Sequence, residues 1–227
     1  MAKDDSAGTL MSRIEQTEKS LRAQLRLPQP DEKTVKPLRT SLIALYEALI
    51  TLHHEYSAKS QAEQSLWKLG FYKRIDEFRK RHARMSEALT NPEKRQRASQ
   101  ALDTLNSSFT RFLDKSVEFY GSLMGKLAAA CDLKVPGYSD QGFSVEEVAR
   151  FRGGAGDLTS MVASCQRCLI YMGDLERYRA LYLFDGAPDW AAAEGHYTTA
   201  SRLTPEAGNP HNQIAVLTPN PKPNPTP

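Results

Sequence analysis

The chain has 227 residues, 40% apolar and 25% charged, with a formal net charge of +3; this is the composition of an ordinary globular protein, with too little charge to announce nucleic acid by itself. Three cysteines, Cys131, Cys165 and Cys168, are too sparse and too odd a set for a disulfide framework. The longest apolar run, Leu42 to Leu52, is broken by Glu47 and shorter than a bilayer needs, and "MAKDDSAGTLMSR" is acidic where a signal peptide is basic, so a cytoplasmic or nuclear protein with no membrane partner is expected.

Helical periods run almost the whole length of the chain. Leu10, Met11, Ile14, Leu21 and Leu25 form a first stripe that stops at Pro28 and Pro30, and Leu38, Leu42, Leu45, Tyr46, Leu49 and Leu52 form a second. Trp67, Phe71, Ile75 and Phe78 mark a third helix that ends before Asn91 and Pro92. A fourth runs from Leu102 to Leu127 and beyond, about nine or ten turns if unbroken. Its Phe109 and Phe112 are expected to meet Trp67, Phe71 and Phe78 in an antiparallel pairing. The basic runs "KRIDEFRKRHAR" and "EKRQR" within residues 73 to 97 suit a solvated helix face, or a surface for nucleic acid.

Residues 133 to 156 mix a short acidic-capped helical piece with Gly and Pro and are expected to be a surface loop. The cluster Gly153, Gly154 and Gly156 lacks the Lys-Ser/Thr and the preceding strand of a P-loop. A further stripe then begins at Leu158, Met161, Val162, Cys165, Leu169 and Met172. Ala193, Tyr197, Ala200 and Pro205 next match the second helix of the tetratricopeptide repeat of about 34 residues, with Leu169, Met172 and Gly173 in its first-helix signature. Leu181 to Asp189 would be a longer turn than usual. "GNPHNQIAVL" opens another first helix, whose partner never follows, leaving an apolar face at Ile214, Val216 and Leu217. Proline at every second position from 219 to 227 forbids a helix. The expected organisation is one helical domain over 1–217, C-terminally truncated, and a disordered proline-rich tail over 218–227. No segment alternates as a strand would, so the fold class is all-α: an antiparallel helical array.

No chemistry of catalysis is legible. Cys165 and Cys168 have C-x-x-C spacing but no second pair and no preceding strand, and the five histidines show no metal-ligand spacing. No Ser/His/Asp set, Cys/His set or motif-borne carboxylate pair stands out. A non-enzymatic binding protein without metal or cofactor is expected.

Three stretches together resemble the Ever-Shorter-Telomeres/SMG family of telomerase-associated and nonsense-mediated mRNA decay adaptors, and its decay factors most of all: "LWKLGFYKRIDEFRKR" (66–81), "CQRCLIYMGDLERYR" (165–179) and "AAAEGHYTTASRLTPEAGNPHNQIAVL" (191–217). The resemblance implies a 14-3-3-like array grading into tetratricopeptide-like repeats, with a groove for phosphoserine or phosphothreonine peptides. The implied ligand is a phosphorylated up-frameshift RNA helicase. The telomerase-linked relatives imply instead a telomerase ribonucleoprotein or nucleic acid, and a heterodimer with a related adaptor belongs to the same set of partners. Arg177 and Tyr178 occupy the family's Arg-Tyr positions after G-D-L-x. The family lysine follows the aromatic residue of L-W-x-x-x-F; Tyr72 intervenes here, so Lys73 is assigned, with Lys80 two turns on along the same face and Asn212 at the family's Asn-Gln. A phosphate dianion suits such a set, because charge-assisted hydrogen bonds from guanidinium and ammonium groups outweigh neutral ones.

Overall fold

The computed structural model describes residues 6–135, 158–183 and 186–217. The expected loop beyond Val135, with its three glycines, and the proline-rich tail at 218–227 lie outside the described residues.

Among the described residues every regular element is helical. Helix α1 (Ala7–Leu25) starts where the Ser6 hydroxyl accepts the Thr9 backbone N–H at 3.2 Å, and buries Leu10, Ile14 and Leu21. Helix α2 (Glu32–Leu52) starts at Asp31, whose carboxylate accepts from the Lys33 N–H at 3.1 Å and the Thr34 hydroxyl at 2.6 Å. The two form a hairpin, and the buried Tyr46 of α2 donates to Glu18 of α1 at 2.5 Å.

The expected third helix is more broken than its stripe suggests. Two short helices precede it, α3 (His54–Lys59) and α4 (Ala62–Leu66), joined through Gln61 in the left-handed region. A π-helical stretch, Trp67–Tyr72, then leads into α5 (Lys73–Ala88). A π turn holds one more residue than an α turn and so absorbs an extra residue without breaking the rod. Helix α6 (Arg95–Ala130) spans 36 residues, about ten turns. Trp67 lies edge-on to Tyr120, Phe71 packs on Phe119 and Phe112, and Phe78 stacks on Phe109. As one index rises the other falls, so α5 and α6 run antiparallel, as expected.

Helix α7 (Leu158–Leu183) packs on α6 along one side and on α8 (Ala191–Leu203) along the other. It continues two residues past the expected start of the turn at Leu181. The buried residues of α8 are Ala193, Tyr197 and Ala200, the three positions that the repeat spacing singles out. Helix α9 (Gly208–Leu217) coincides with "GNPHNQIAVL" and packs on α8. Its expected open apolar face is mostly closed: Leu217 is buried and Ile214 packs on the core, while Val216 remains 65% exposed. The result is an all-α antiparallel array, 14-3-3-like through α7 and grading into a tetratricopeptide-like hairpin of α7 and α8.

The closest approach in that hairpin is at Gly173. A Cβ there would lie 2.4 Å from the ring of Tyr197, which is fully buried and cannot swing away. Gly173→Ala is therefore expected to destabilise the protein by about 1–3 kcal/mol through overpacking. Gly195→Ala, whose Cβ would meet nothing within 4 Å, should instead stabilise the same hairpin by about 0.5–1 kcal/mol. Urea denaturation of both variants checks the pair; equal responses would refute the packing argument.

Candidate functional site

The "GDLERYR" stretch of the sequence lies in the last turns of α7, where the helix still has neighbours on two sides. Asp174 is the pivot. Its Oδ1 accepts the Tyr197 hydroxyl of α8 at 2.8 Å and, at a long 3.5 Å, an Nη2–H of Arg177. Burial pushes the Asp174 carboxyl above its ordinary value, against the pull of Tyr197 and Arg177. Arg177 lays its guanidinium over the ring of Tyr178, 4.7 Å from the centroid, and its buried Nε has no hydrogen-bond partner. Tyr178 is 7% exposed. Burial raises its phenol, and Arg177 pulls it back down.

A second guanidinium reaches the same ring from another helix. Arg79 of α5 lies 5.9 Å from the Tyr178 centroid and donates from Nε to the Tyr182 hydroxyl at 3.0 Å. That hydrogen bond is the main cause of its raised pKa. Tyr72 lies near enough to act electrostatically on both Tyr178 and Arg79. Two arginines and two tyrosines from α5, the π-helical stretch and α7 therefore converge, a donor-rich cluster suited to an anion.

The expected residues divide accordingly. Arg177 and Tyr178 are in the cluster. Lys73 is exposed at the first position of α5, Lys80 is exposed and paired with Asp76 at 2.8 Å, and Asn212 is exposed on α9. The seven-residue pair that faces Tyr178 is Tyr72 and Arg79, one position before Lys73 and Lys80. Sequence reasoning missed Arg79. No one-dimensional signal marked it, because its place depends on how α5 is rotated against α7. Arg179 is a structural residue, bound to Glu176 at 2.8 Å and to Asp114 of α6 at 2.7 Å.

Folding also assembles a Ser/His/Glu group that no motif announces. Ser164 donates to Glu63 at 2.5 Å and lies 2.9 Å from His54 Nε2, and Arg167 donates to both Glu63 and Ser164. The hydroxyl has one hydrogen, and the carboxylate takes it; His54 Nε2 must then donate to the Ser164 oxygen and cannot act as its base. Ser164, His54 and Glu63 are all buried, so the group pins α7 to α3 and α4. Cys165 and Cys168 are buried and free, their thiols pushed up by burial. Among the described residues no group of three His, Cys, Asp or Glu could hold a metal ion, and no helix is long and apolar enough to cross a membrane.

The family model "Telomerase activating protein Est1" matches residues 61–183, more than half of the chain and the whole of this cluster. The nonsense-mediated mRNA decay factor SMG7 of Arabidopsis thaliana is 31% identical over 195 residues, covering 83% of this chain and 18% of that protein. The telomerase-binding protein EST1A of Danio rerio is 28% identical over 192 residues, 85% of this chain and 11% of its own length. The nonsense-mediated mRNA decay factor SMG5 of Homo sapiens is 27% identical over 187 residues, 79% and 16% respectively. The chain thus spans less than a fifth of each of these three relatives. With the family model covering the π-helical stretch, α5, α6 and α7 alike, the chain belongs to the Est1/SMG family.

Proposed function

We propose that this chain is a non-enzymatic adaptor domain of nonsense-mediated mRNA decay that binds phosphoserine or phosphothreonine peptides between α5 and α7, its ligand a phosphorylated RNA helicase of that pathway. The observation that carries this reading is Arg177: a guanidinium whose one carboxylate partner, Asp174, is at a long 3.5 Å and whose other neighbours are the neutral Tyr178 and Tyr197, with a buried Nε–H that lacks an acceptor. An unsatisfied buried donor costs about 1–3 kcal/mol, and a phosphate oxygen would relieve that cost. Tyr178 and Arg79 complete the phosphate's surroundings. Lys73 and Lys80, exposed on α5, serve carboxylates or a second phosphate beside it, and Asn212 on α9 serves the peptide backbone. The names of the decay-factor relatives agree with the pathway, and a related adaptor fits as a second protein partner.

A second reading, telomerase-linked binding of nucleic acid, is favoured by one observation. Arg81, Arg84, Lys94 and Arg97, with Glu93 among them, line a shallow, mainly basic groove at the turn between α5 and α6. The two readings differ in what salt does. Nucleic-acid binding spread over many phosphates falls steeply with salt, whereas a single phosphate contact falls gently.

Isothermal titration with matched phosphorylated and unphosphorylated peptides tests the first reading. Arg177→Glu is expected to weaken the phosphopeptide at least about 30-fold, since breaking a charge-assisted contact costs about 2 kcal/mol or more. Arg79→Glu and Lys73→Glu should weaken it less, and Arg179→Glu should lower the melting temperature more than the affinity. Equal affinity for both peptides, or an Arg177→Glu variant that binds normally, refutes the site.

Asp174 supplies a pH test. Its folded pKa lies above the ordinary 3.8, so the folded state holds its proton more tightly than the unfolded one. Its effect on stability is therefore most favourable below that ordinary value and is lost as pH rises through the raised one. Asp174→Asn keeps an acceptor for Tyr197 without the buried charge. The stability of wild type relative to this variant should fall between pH 4 and pH 7, as read by urea denaturation; a gap that is flat or widens in favour of wild type contradicts the assignment.

A further inference from the structure

Helix α5 has a second working face. Where Arg79 turns toward Tyr178, Arg74, Glu77, Phe78 and Arg81 turn toward a half-open cavity of about 380 Å³ between α2, α5 and α6. This volume lies within the range of about 300–1,000 Å³ typical of ligand pockets. Its apolar wall is built from Ile43, Phe71, Phe109, Phe112 and Phe119 together with Phe78. Phe78 separates the two sites: it stacks on Phe109 in the cavity and meets Tyr182, the partner of Arg79, edge-on.

The rim is unbalanced in charge. Lys36, Arg39, Arg74, Arg81 and Lys115 face only two carboxylates, Glu32 and Glu77. Both acids are already engaged. Arg74 binds Glu32 at 2.6 Å and Glu77 at 3.2 Å, and Arg39 binds Glu77 at 3.2 Å. Lys36, Arg81 and Lys115 have no ion-pair partner among the described residues. Arg39 is the sharper observation. It is only 7% exposed, burial weighs against its charge, and its Nε has no acceptor although it lines the cavity. Past Arg81 the rim continues into the basic groove of Arg84, Lys94 and Arg97.

We propose that this cavity is a second docking site, for an unphosphorylated acidic-aromatic peptide segment of a partner protein. One aromatic side chain of the segment fills the cavity. A carboxylate beside it accepts from Arg39 Nε, and further acidic residues lie along Lys36, Lys115 and Arg81 toward Arg84. A second copy of this chain is a poor occupant, because a two-fold contact would set this positive rim against itself. The site is separate from the one around Arg177 and does not rest on the function proposed for it.

Fluorescence anisotropy with the full chain and a fluorescein-labelled Asp-Glu-Phe-Asp-Glu-Glu peptide tests the proposal. The peptide should bind, and replacing its Phe by Ala should weaken binding at least about ten-fold, the loss of one buried aromatic anchor. Ser108→Trp, at an exposed position on the cavity mouth, fills the space from outside the core and should weaken binding as much. Lys36→Glu with Lys115→Glu, both exposed and safe for folding, should do so through charge alone. Arg177→Glu should bind the peptide like wild type, and a phosphoserine peptide should not displace it. The proposal is overturned by no binding up to about 1 mM. It is also overturned by equal binding of the Ala peptide, by an unaffected Ser108→Trp variant that circular dichroism shows folded, or by displacement with the phosphopeptide. Sedimentation showing a homodimer that Ser108→Trp dissolves would assign the face to a second copy and overturn it too.

Discussion

Helix α7 is packed on two sides, against α6 and against α8, and this double burial governs the rest of the structure. A helix so placed has little room for charge, yet α7 carries three half-buried arginines. A buried charge is tolerated only when paired, since desolvation costs several kcal/mol per ion. Arg167 is paired with Glu63 within the Ser164 and His54 network, and Arg179 with Asp114 and Glu176. Arg177 is the exception: its one carboxylate contact, to Asp174, is long, its other neighbours are the tyrosines Tyr178 and Tyr197, and its Nε has no acceptor. The uneven treatment of three like residues on one helix is what separates a candidate binding group from two structural ones.

The repeat-like hairpin and the proposed phosphate site are mechanically one unit. Gly173 has no Cβ, so Tyr197 can press its ring against the α7 backbone. That approach brings the Tyr197 hydroxyl to Asp174, and Asp174 in turn restrains Arg177. Changes at the α7–α8 contact therefore reach the guanidinium through two hydrogen bonds, without touching any ligand. The π-helical stretch plays the matching part on the other wall. It takes up one residue between Trp67, stacked 4.6 Å from Tyr171 of α7, and the start of α5, and so sets which face of α5 meets Tyr178.

Helix α5 separates two environments of the same sign. Arg79 is drawn to Tyr182 and Tyr178 on one side, while Arg74 and Arg81 border the aromatic cavity on the other, and Phe78 is the partition between them. The basic run that reads in the sequence as one solvated or nucleic-acid-binding face is thus divided by the fold into separate groups with different neighbours. Lys80 stays at the surface, paired with Asp76.

Periodicity alone established the all-α class, the hairpin of α5 and α6, and the positions Ala193, Tyr197 and Ala200, because burial along one helix follows directly from its own 3.6-residue repeat. The Arg-Tyr pair of α7 could be nominated from the sequence because a contiguous motif carries it. The approach of Arg79 to Tyr178 could not be, since it depends on the phase of α5 relative to α7, and a π turn shifts that phase by one residue without leaving a composition signal. The breaks at α3 and α4 were hidden for a related reason: Gln61 adopts a left-handed backbone that glycine or asparagine would have announced. The Glu63, Ser164, His54 and Arg167 network joins residues about a hundred positions apart, and the Phe-lined cavity needs three helices at once. A one-dimensional pattern records which side of each helix is apolar; which helices meet, at what rotation, and which buried donor is left without an acceptor are decided only when they pack.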